Sequence, residues 1–257
     1  TSDTTWQAYN RYGGNSLYTG SSGAAPDRAV KVSYNRPFTT RAYAPEDWIF
    51  NAEYPMIRWL EANGYDVSYF SGIDADRLGS EILEHKVFVA VGHDEYWSGK
   101  QRANVEAARA ANPPVHLAFF SGNEVFWKTR WEPSIDGSGT PYRTLVSYKE
   151  THANGKIDPA IDPVTGAPIW TGTWRDPRFS PPGDGGRPEN ALTGTIFKVN
   201  SGTSGIGVPA DLGKHRFWRN TTIATMAPNT TVNLPGGTLG YEWDEAPNNG
   251  AQPPGLM

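Results

Sequence analysis

Residues 87–97 read Val-Phe-Val-Ala-Val-Gly-His-Asp-Glu-Tyr-Trp, an apolar run that stops at Gly92 and is followed by an imidazole and a carboxylate. The apolar run predicts a buried β-strand. In an open α/β sheet, ligands bind outside the carboxyl ends of the strands, so His93 and Glu95 are candidates for acid/base or metal-binding chemistry. The alternative is a helix N-terminus with a surface His and Glu, which we disfavour because Ser98 is a better N-cap for the helix that follows.

Strand-like and helix-like patterns alternate on both sides of this stretch, from residue 48 to residue 120. Such alternation predicts an α/β fold with a doubly wound, mostly parallel sheet. The predicted helices are 48–63, Asp76–Glu84 and Ser98–Ala111, and the predicted strands are Val67–Phe70, Val87–Gly92 and His116–Phe120.

The second half of the chain is rich in Gly, Pro, Asp and Thr, which predicts long loops and β-rich insertions. We expect a single domain over 1–257 that is a piece of a longer polypeptide. Its predicted parts are an α/β core over 1–130, an irregular insertion over 131–215 and returning strands over 216–257. The other predicted extended segments are 4–18, which runs into a Gly-Gly turn, Val30–Tyr34, Phe217–Met226 and Thr238–Trp243.

Composition excludes several classes of protein. The net charge is -4 and no run of Lys or Arg is present, which argues against nucleic acid as a partner. No apolar stretch approaches the roughly 20 residues of a membrane helix. The chain has no Cys, which excludes disulfides, Cys-ligated zinc, iron–sulfur clusters and a thiol nucleophile. The compartment stays open, with a secreted multidomain bacterial protein slightly favoured over a cytoplasmic one.

Nucleophile and nucleotide motifs give little support to other activities. No G-x-S-x-G elbow, Walker A motif or G-x-G-x-x-G loop is present, so a serine hydrolase or a nucleotide-binding protein is disfavoured. The sequence supports a metal site better, because predicted strand ends carry Tyr9, Tyr18, Asn123 and Glu242 in addition to the His-x-Glu segment. Carboxylates and phenolates suit hard ions such as ferric iron. Each isolated Tyr also has a simpler explanation as a packed aromatic ring.

Glu242 lies in the aromatic segment Gly-Tyr-Glu-Trp-Asp. Burial in such a setting would raise the pKa of its carboxyl group and suit it to proton transfer. A strand-edge carboxylate paired with an Arg is the alternative.

The ordered set of motifs resembles the large-subunit domain of the N,N-dimethylformamidase family. The resemblance rests on these segments: Thr5-Trp6-Gln7-Ala8-Tyr9-Asn10, Ser16-Leu17-Tyr18, Asn35-Arg36-Pro37, Trp59-Leu60-Glu61-Ala62-Asn63-Gly64-Tyr65, Gly92-His93-Asp94-Glu95-Tyr96-Trp97, Ser121-Gly122-Asn123-Glu124, Phe126-Trp127 and the Gly-Tyr-Glu-Trp stretch near 242. It implies a fold like that of the class I glutamine amidotransferases, with the thiol nucleophile replaced by a single iron.

The resemblance also implies roles for individual residues. Tyr9, Tyr18 and Glu95 would be the iron ligands. His93 and Asn123 would line the pocket and orient the substrate or hold an oxyanion.

Glu242 would be the general base in this resemblance. The implied reaction is iron-assisted hydrolysis of a C–N amide bond in a small-molecule substrate. The implied partners are other domains or subunits of the parent protein.

Two other functions remain open at this point. A non-catalytic carbohydrate- or polymer-binding domain of a larger secreted protein would suit the ten Trp and the abundant Gly, Asn and Thr. A metal-independent hydrolase would use Glu95 and Glu242 as paired carboxylates.

Overall fold

The computed structural model describes residues 2–12, 14–37, 49–152, 155–176 and 187–256. Trp48, the first residue of the predicted helix 48–63, lies outside them. The chain divides into two units, one formed by 1–196 with 246–257 and the other by 197–245. The division of one domain near residues 130 and 215 stays a prediction.

The central sheet of the first unit has four strands and mixed directions. Its strand order is β1-β6-β5-β3, in which β3 runs parallel to β5 and the other neighbours are antiparallel. These strands are β1 (Lys31–Ser33), β3 (Tyr96–Ser98), β5 (Trp127–Glu132) and β6 (Thr144–Val146).

A separate two-stranded parallel sheet pairs β2 (Val87–Val91) with β4 (His116–Phe120). Its two strands are joined through β3 and helix α4 (Gly99–Ala110). The predicted strands at 87–92 and 116–120 and the predicted helix at 98–111 are therefore confirmed. The prediction of a strand at Val67–Phe70 is wrong.

The prediction of a doubly wound, mostly parallel sheet is also wrong. Among the described residues, the parallel pair β2–β4 gains no third strand, and the larger sheet is mostly antiparallel. The physical reason lies in Tyr96 and Trp97. These residues follow β2 after a short turn and begin β3, which pairs with β5 in the four-stranded sheet and not with the β2–β4 pair. Both side chains are fully buried, and they belong to different core clusters. The predicted amidotransferase-like architecture is thus not found in the described part of the chain.

The core of the first unit consists of two clusters that share strand β3. Trp97 packs with Val105 and Trp174 in one cluster, and Tyr96 packs with Leu17 in the other. Because successive side chains of a strand point to opposite faces, one dipeptide fixes both clusters. The remaining buried members are Ile82, Ala108, Val115, Val125, Trp170 and Leu192 in the first, and Ala8, Val32, Trp127 and Leu145 in the second.

Two helices of the first unit begin at a serine whose side chain caps the helix. Ser98 caps α4 by accepting a hydrogen bond from the amide of Gln101 at 3.0 Å, and Ser71 forms a capping box with Asp74 at the start of another helix. The other helices of this unit are α1 (Asp3–Tyr9), α2 (Tyr54–Ala62), α3 (Gly72–Arg77) and α5 (Asn190–Thr193), with a π-helical turn at Ile49–Glu53 and 3-10 turns at Ala25–Asp27 and Gly79–Glu84.

Two local predictions in this unit differ from the structure. The extended segment predicted over 4–18 begins instead as helix α1. The helix predicted over 48–63 begins only at Tyr54, after the π-helical turn. None of the described residues of α2 is fully buried, and Trp59 is half exposed. The apolar spacing in this region therefore predicts helix without predicting burial.

The second unit consists of short strands and turns. The prediction of an extended segment at Phe217–Met226 is wrong, because this region contains 3-10 turns at Arg216–Trp218 and Thr222–Thr225. The strand predicted at Thr238–Trp243 is broken in two. The elements are β7 (Ile196–Val199), β8 (Thr203–Ser204), β9 (Gly207–Pro209), α6 (Ala210–Gly213), β10 (Thr231–Asn233), β11 (Leu239–Gly240) and β12 (Trp243–Glu245). Strand β7 pairs with β12, and the pairs β8–β11 and β9–β10 are antiparallel.

Gly92 is expected to be required for the turn that leads from β2 into the candidate site. Its φ of +82° is unfavourable for any residue with a side chain, and an added Cβ would lie 2.9 Å from Cγ of Glu53. We expect Gly92→Ala to lower the free energy of unfolding by more than about 1 kcal/mol, measured by urea denaturation.

Gly64→Ala is the matched control, because Gly64 has a similar φ of +73° but no atom within 4 Å of the added Cβ. It therefore carries the backbone strain without the steric contact. Equal destabilisation by the two variants would contradict the contact with Glu53.

Candidate functional site

The backbone around Glu95 is held by hydrogen bonds from two directions. On one side, the amide of Glu95 donates to the Thr5 hydroxyl at 3.1 Å, and the Thr4 hydroxyl donates to the Tyr96 carbonyl at 2.8 Å. On the other side, the amides of residues 126 and 127 both donate to the Glu95 carbonyl at 2.9 Å. Helix α1 and the start of β5 thus fix the carboxylate-bearing segment.

Tyr18 and Glu95 are in direct contact, although they are 77 positions apart in the chain. The Tyr18 hydroxyl donates to Oε1 of Glu95 at 2.6 Å. Burial and the Glu95 carboxylate raise the pKa of Tyr18 well above its usual value. The phenol therefore keeps its proton in this state and shares it with a carboxylate that is only 2% exposed.

Tyr9 joins this pair through its ring. The Tyr9 and Tyr18 rings are stacked with centroids 4.0 Å apart and planes inclined by 21°, and a hydrogen bond links the Tyr9 side chain to Tyr18. Two phenol oxygens and one carboxylate therefore come together from α1, the loop after it and the segment before β3.

His93 lies on the other side of Glu95. Its Nε2 is 3.6 Å from Oε2 of Glu95, and its Nδ1 is 3.1 Å from the carbonyl oxygen of Gly122. Because a carbonyl oxygen only accepts hydrogen bonds, this contact identifies Nδ1 as the protonated nitrogen. A neutral His93 would then present an unprotonated Nε2 toward the site, and only the imidazolium form could donate from Nε2.

Asn123 lies in the loop after β4, and His93 lies in the loop after β2. Because β2 and β4 are parallel neighbours, these two loops leave the same end of the pair. Asn123 is buried and has a φ of +55°, a left-handed conformation that Asn tolerates better than most residues. The amide of Val125 donates to the Asp94 carbonyl at 2.9 Å, which ties this loop to the Glu95 segment.

Lys149 is a member of the site that the sequence did not indicate. Its side chain is 1% exposed, and its Nζ lies 3.2 Å from the centroid of the Tyr18 ring. The same ammonium group is 4.6 Å from the Trp127 ring centroid and 5.2 Å from that of Tyr96. A cation so placed is attracted by the ring faces and adds a positive charge beside the Tyr18 phenol.

Asp94 is the second residue that sequence reasoning passed over. Its side chain is buried, and its pKa is raised from 3.8 to about 7, mainly because burial disfavours the charged carboxylate. The carboxylates of Asp3 and Glu53 raise this pKa further. Asp94, Asp3 and Glu53 therefore form an acidic cluster, in which Glu53 accepts hydrogen bonds from the Ser2 hydroxyl and the Trp6 indole.

Glu242 belongs to the second unit, where it is half-buried and directly precedes β12. Its role as general base stays a prediction. The other five predicted site residues all belong to the first unit.

Conventional metal clusters are not found in the described part of the chain. No group of three or more His, Asp or Glu side chains there is arranged to hold a metal ion. The predicted ligand set differs in kind, because two of its three members are tyrosines.

Comparison with known proteins identifies the family. The family model described as "N,N-dimethylformamidase beta subunit-like, C-terminal" matches residues 1–257. The chain belongs to this family. Membership in the dimethylformamidase-like family suggests an amide hydrolase, and a beta-subunit-like domain suggests interaction with other subunits or domains.

A search of curated proteins finds no match to this dimethylformamidase-like chain. No helix in the described ranges combines the length and apolar character that a membrane crossing requires.

Asp94 is expected to make stability depend on pH. A raised pKa means that the folded state binds this proton more tightly, so the group's contribution is most favourable below its unfolded pKa and is lost as pH rises to about 7. We expect Asp94→Asn to be more stable than the parent at about pH 8, with a smaller difference at about pH 5, measured by urea midpoints.

Asp136→Asn is the control, because hydrogen bonds from Ser138 lower the pKa of this exposed carboxyl group. Its ionisation is complete below this pH range in both states. An Asp94→Asn variant whose pH dependence equals that of the parent would contradict the assignment.

Proposed function

We propose that this dimethylformamidase-like domain is an iron-dependent hydrolase of C–N amide bonds. The observation that carries the proposal is the contact of Tyr18 with Glu95 at 2.6 Å, with Tyr9 stacked on Tyr18. These two phenols and one carboxylate are the residues that the family resemblance assigns to a single iron.

The chemistry of the three side chains fits a hard trivalent cation. Two phenolates and one carboxylate would neutralise three positive charges, and oxygen donors of this kind are preferred by hard ions. The raised pKa of Tyr18 does not oppose this, because a cation that binds would replace the proton shared with Glu95. Lys149 beside the Tyr18 ring also favours the ionised phenol.

A ferric ion held by Tyr9, Tyr18 and Glu95 would supply Lewis acidity toward the amide carbonyl and toward a water molecule. The chain's own residues would do the rest. Asn123 would hydrogen-bond the developing oxyanion, a contact whose loss typically costs about 2.7–4 kcal/mol. His93 would donate a second hydrogen bond to this oxyanion from Nε2 when its imidazole is charged, since Nδ1 already donates to the Gly122 carbonyl.

The family resemblance assigns the role of general base to Glu242. It would take a proton from the attacking water and deliver it to the leaving amine, so that an amide and water give a carboxylic acid and an amine.

Loss of Glu95 is expected to remove iron and activity together. We expect Glu95→Ala to lower bound iron to background and to abolish the release of dimethylamine from N,N-dimethylformamide, because the ligand and its charge are gone. Elemental analysis of the purified chain and an amine assay measure the two effects.

Tyrosine variants give the matched comparison. Tyr18→Phe should lose iron and the visible phenolate-to-iron charge-transfer absorption, whereas Tyr12→Phe should keep both because Tyr12 is 60% exposed and lies outside the site. A Glu95→Ala protein that is folded, binds iron and turns over would overturn the proposal. Activity that survives complete iron removal would support a metal-independent hydrolase instead.

Glu242 can be separated from the iron ligands by its own variant. We expect Glu242→Gln to keep iron but lose about 10²–10⁴-fold in kcat, because the amide cannot accept the proton. Glu245→Gln is the control, since Glu245 forms an exposed ion pair with Lys198. A Glu242→Gln variant with the parent's kcat would remove Glu242 from the mechanism.

A further inference from the structure

A cleft of about 860 Å³ lies in the first unit, and none of Tyr9, Tyr18, His93, Glu95 or Asn123 lines it. Its volume is in the range of about 300–1,000 Å³ that is typical of small-molecule sites. The two sites use opposite ends of the β3–β5 pair: the Glu95 segment precedes β3, whereas Ser98 ends β3 and lines the cleft.

Two aromatic rings form one wall of the cleft. Trp131 and Tyr142 line it, with ring centroids 6.0 Å apart and planes inclined by 55°. Both rings are held by the protein itself. The Trp131 ring packs edge-on against Tyr34 at 5.0 Å, and the guanidinium of Arg77 lies 5.8 Å from the Tyr142 centroid. Rigid rings lose little conformational freedom when a ligand binds.

The backbone of Tyr142 is also unusual. Its φ of +58° lies in the left-handed region, which is uncommon for an aromatic residue. Such conformations persist where neighbouring contacts enforce them and are concentrated at ligand sites. The contact here is the Tyr142 hydroxyl, which donates to Oδ1 of Asp76 at 3.1 Å.

The charges around the cleft balance and are largely paired within the protein. The lining contains three cationic and three anionic side chains, namely Lys100, Lys128, Arg130, Asp76, Glu132 and Asp162. Arg130 is bonded to both Asp158 and Glu132, and Asp162 accepts two backbone amides. A lining of this kind suits a neutral polar ligand better than an anion or a cation.

We propose that this cleft binds a neutral saccharide, at a site separate from the candidate iron site. A pyranose ring has an apolar C–H face that stacks on aromatic rings and a rim of hydroxyl groups that bonds to polar side chains. The fixed Trp131–Tyr142 pair provides the first kind of contact, and the charged and polar rim provides the second.

The test is calorimetric titration of the 257-residue chain with soluble cello-, xylo-, malto- and chito-oligosaccharides. We expect at least one series to bind with a Kd of about 1 mM or tighter. Tyr142→Ala should weaken that binding at least about tenfold, whereas Tyr142→Phe, which keeps the ring, should retain most of it.

Two further variants guard against a folding artefact. Ala167→Trp should fill the cleft from a half-buried lining position and abolish binding without removing a core side chain. Tyr65→Ala should leave binding unchanged, because Tyr65 is 56% exposed and does not line the cleft. Thermal melting confirms that each variant is folded.

Two results would overturn the proposal. They are the absence of binding by every saccharide series, and saccharide binding that survives both Tyr142→Ala and Ala167→Trp.

Discussion

The hydrogen bonds that hold the backbone of Glu95 are the constraint on which the rest of the first unit depends. A threonine hydroxyl of helix α1 accepts a hydrogen bond from the Glu95 amide, and two amides at the start of β5 donate to the Glu95 carbonyl. These bonds position the next two residues, Tyr96 and Trp97, to enter two core clusters. The same bonds keep the Glu95 carboxylate against Tyr18. Fold and candidate site are therefore stabilised by one short segment.

The part of the fold that local pattern determines could be predicted. Strands β2 and β4 and helix α4 were predicted to within a residue or so because their apolar periodicity and the Ser98 cap are local features. Sheet membership was not, because it depends on which distant segment pairs with a strand. Tyr96 pairs with Trp127, and nothing in the sequence near either residue specifies this partner.

The candidate site could likewise be predicted only in part from the sequence. The resemblance named Tyr9, Tyr18 and Glu95, and their mutual contacts come from three segments that are separated in sequence. The burial of Lys149 and Asp94 could not be predicted, since a lone Lys or Asp in a polar context is usually exposed. Their importance arises only when the folded chain removes water around them, which is a property of tertiary packing.

The parallel pair β2–β4 has a practical consequence. Among the described residues its strands pair only with each other, and Val87 and Phe120, at opposite ends of the pair, are 48% and 49% exposed. Open strand edges with apolar side chains template the addition of strands from neighbouring molecules. We therefore expect this domain to self-associate at high concentration. Charged substitutions along this edge should reduce the self-association.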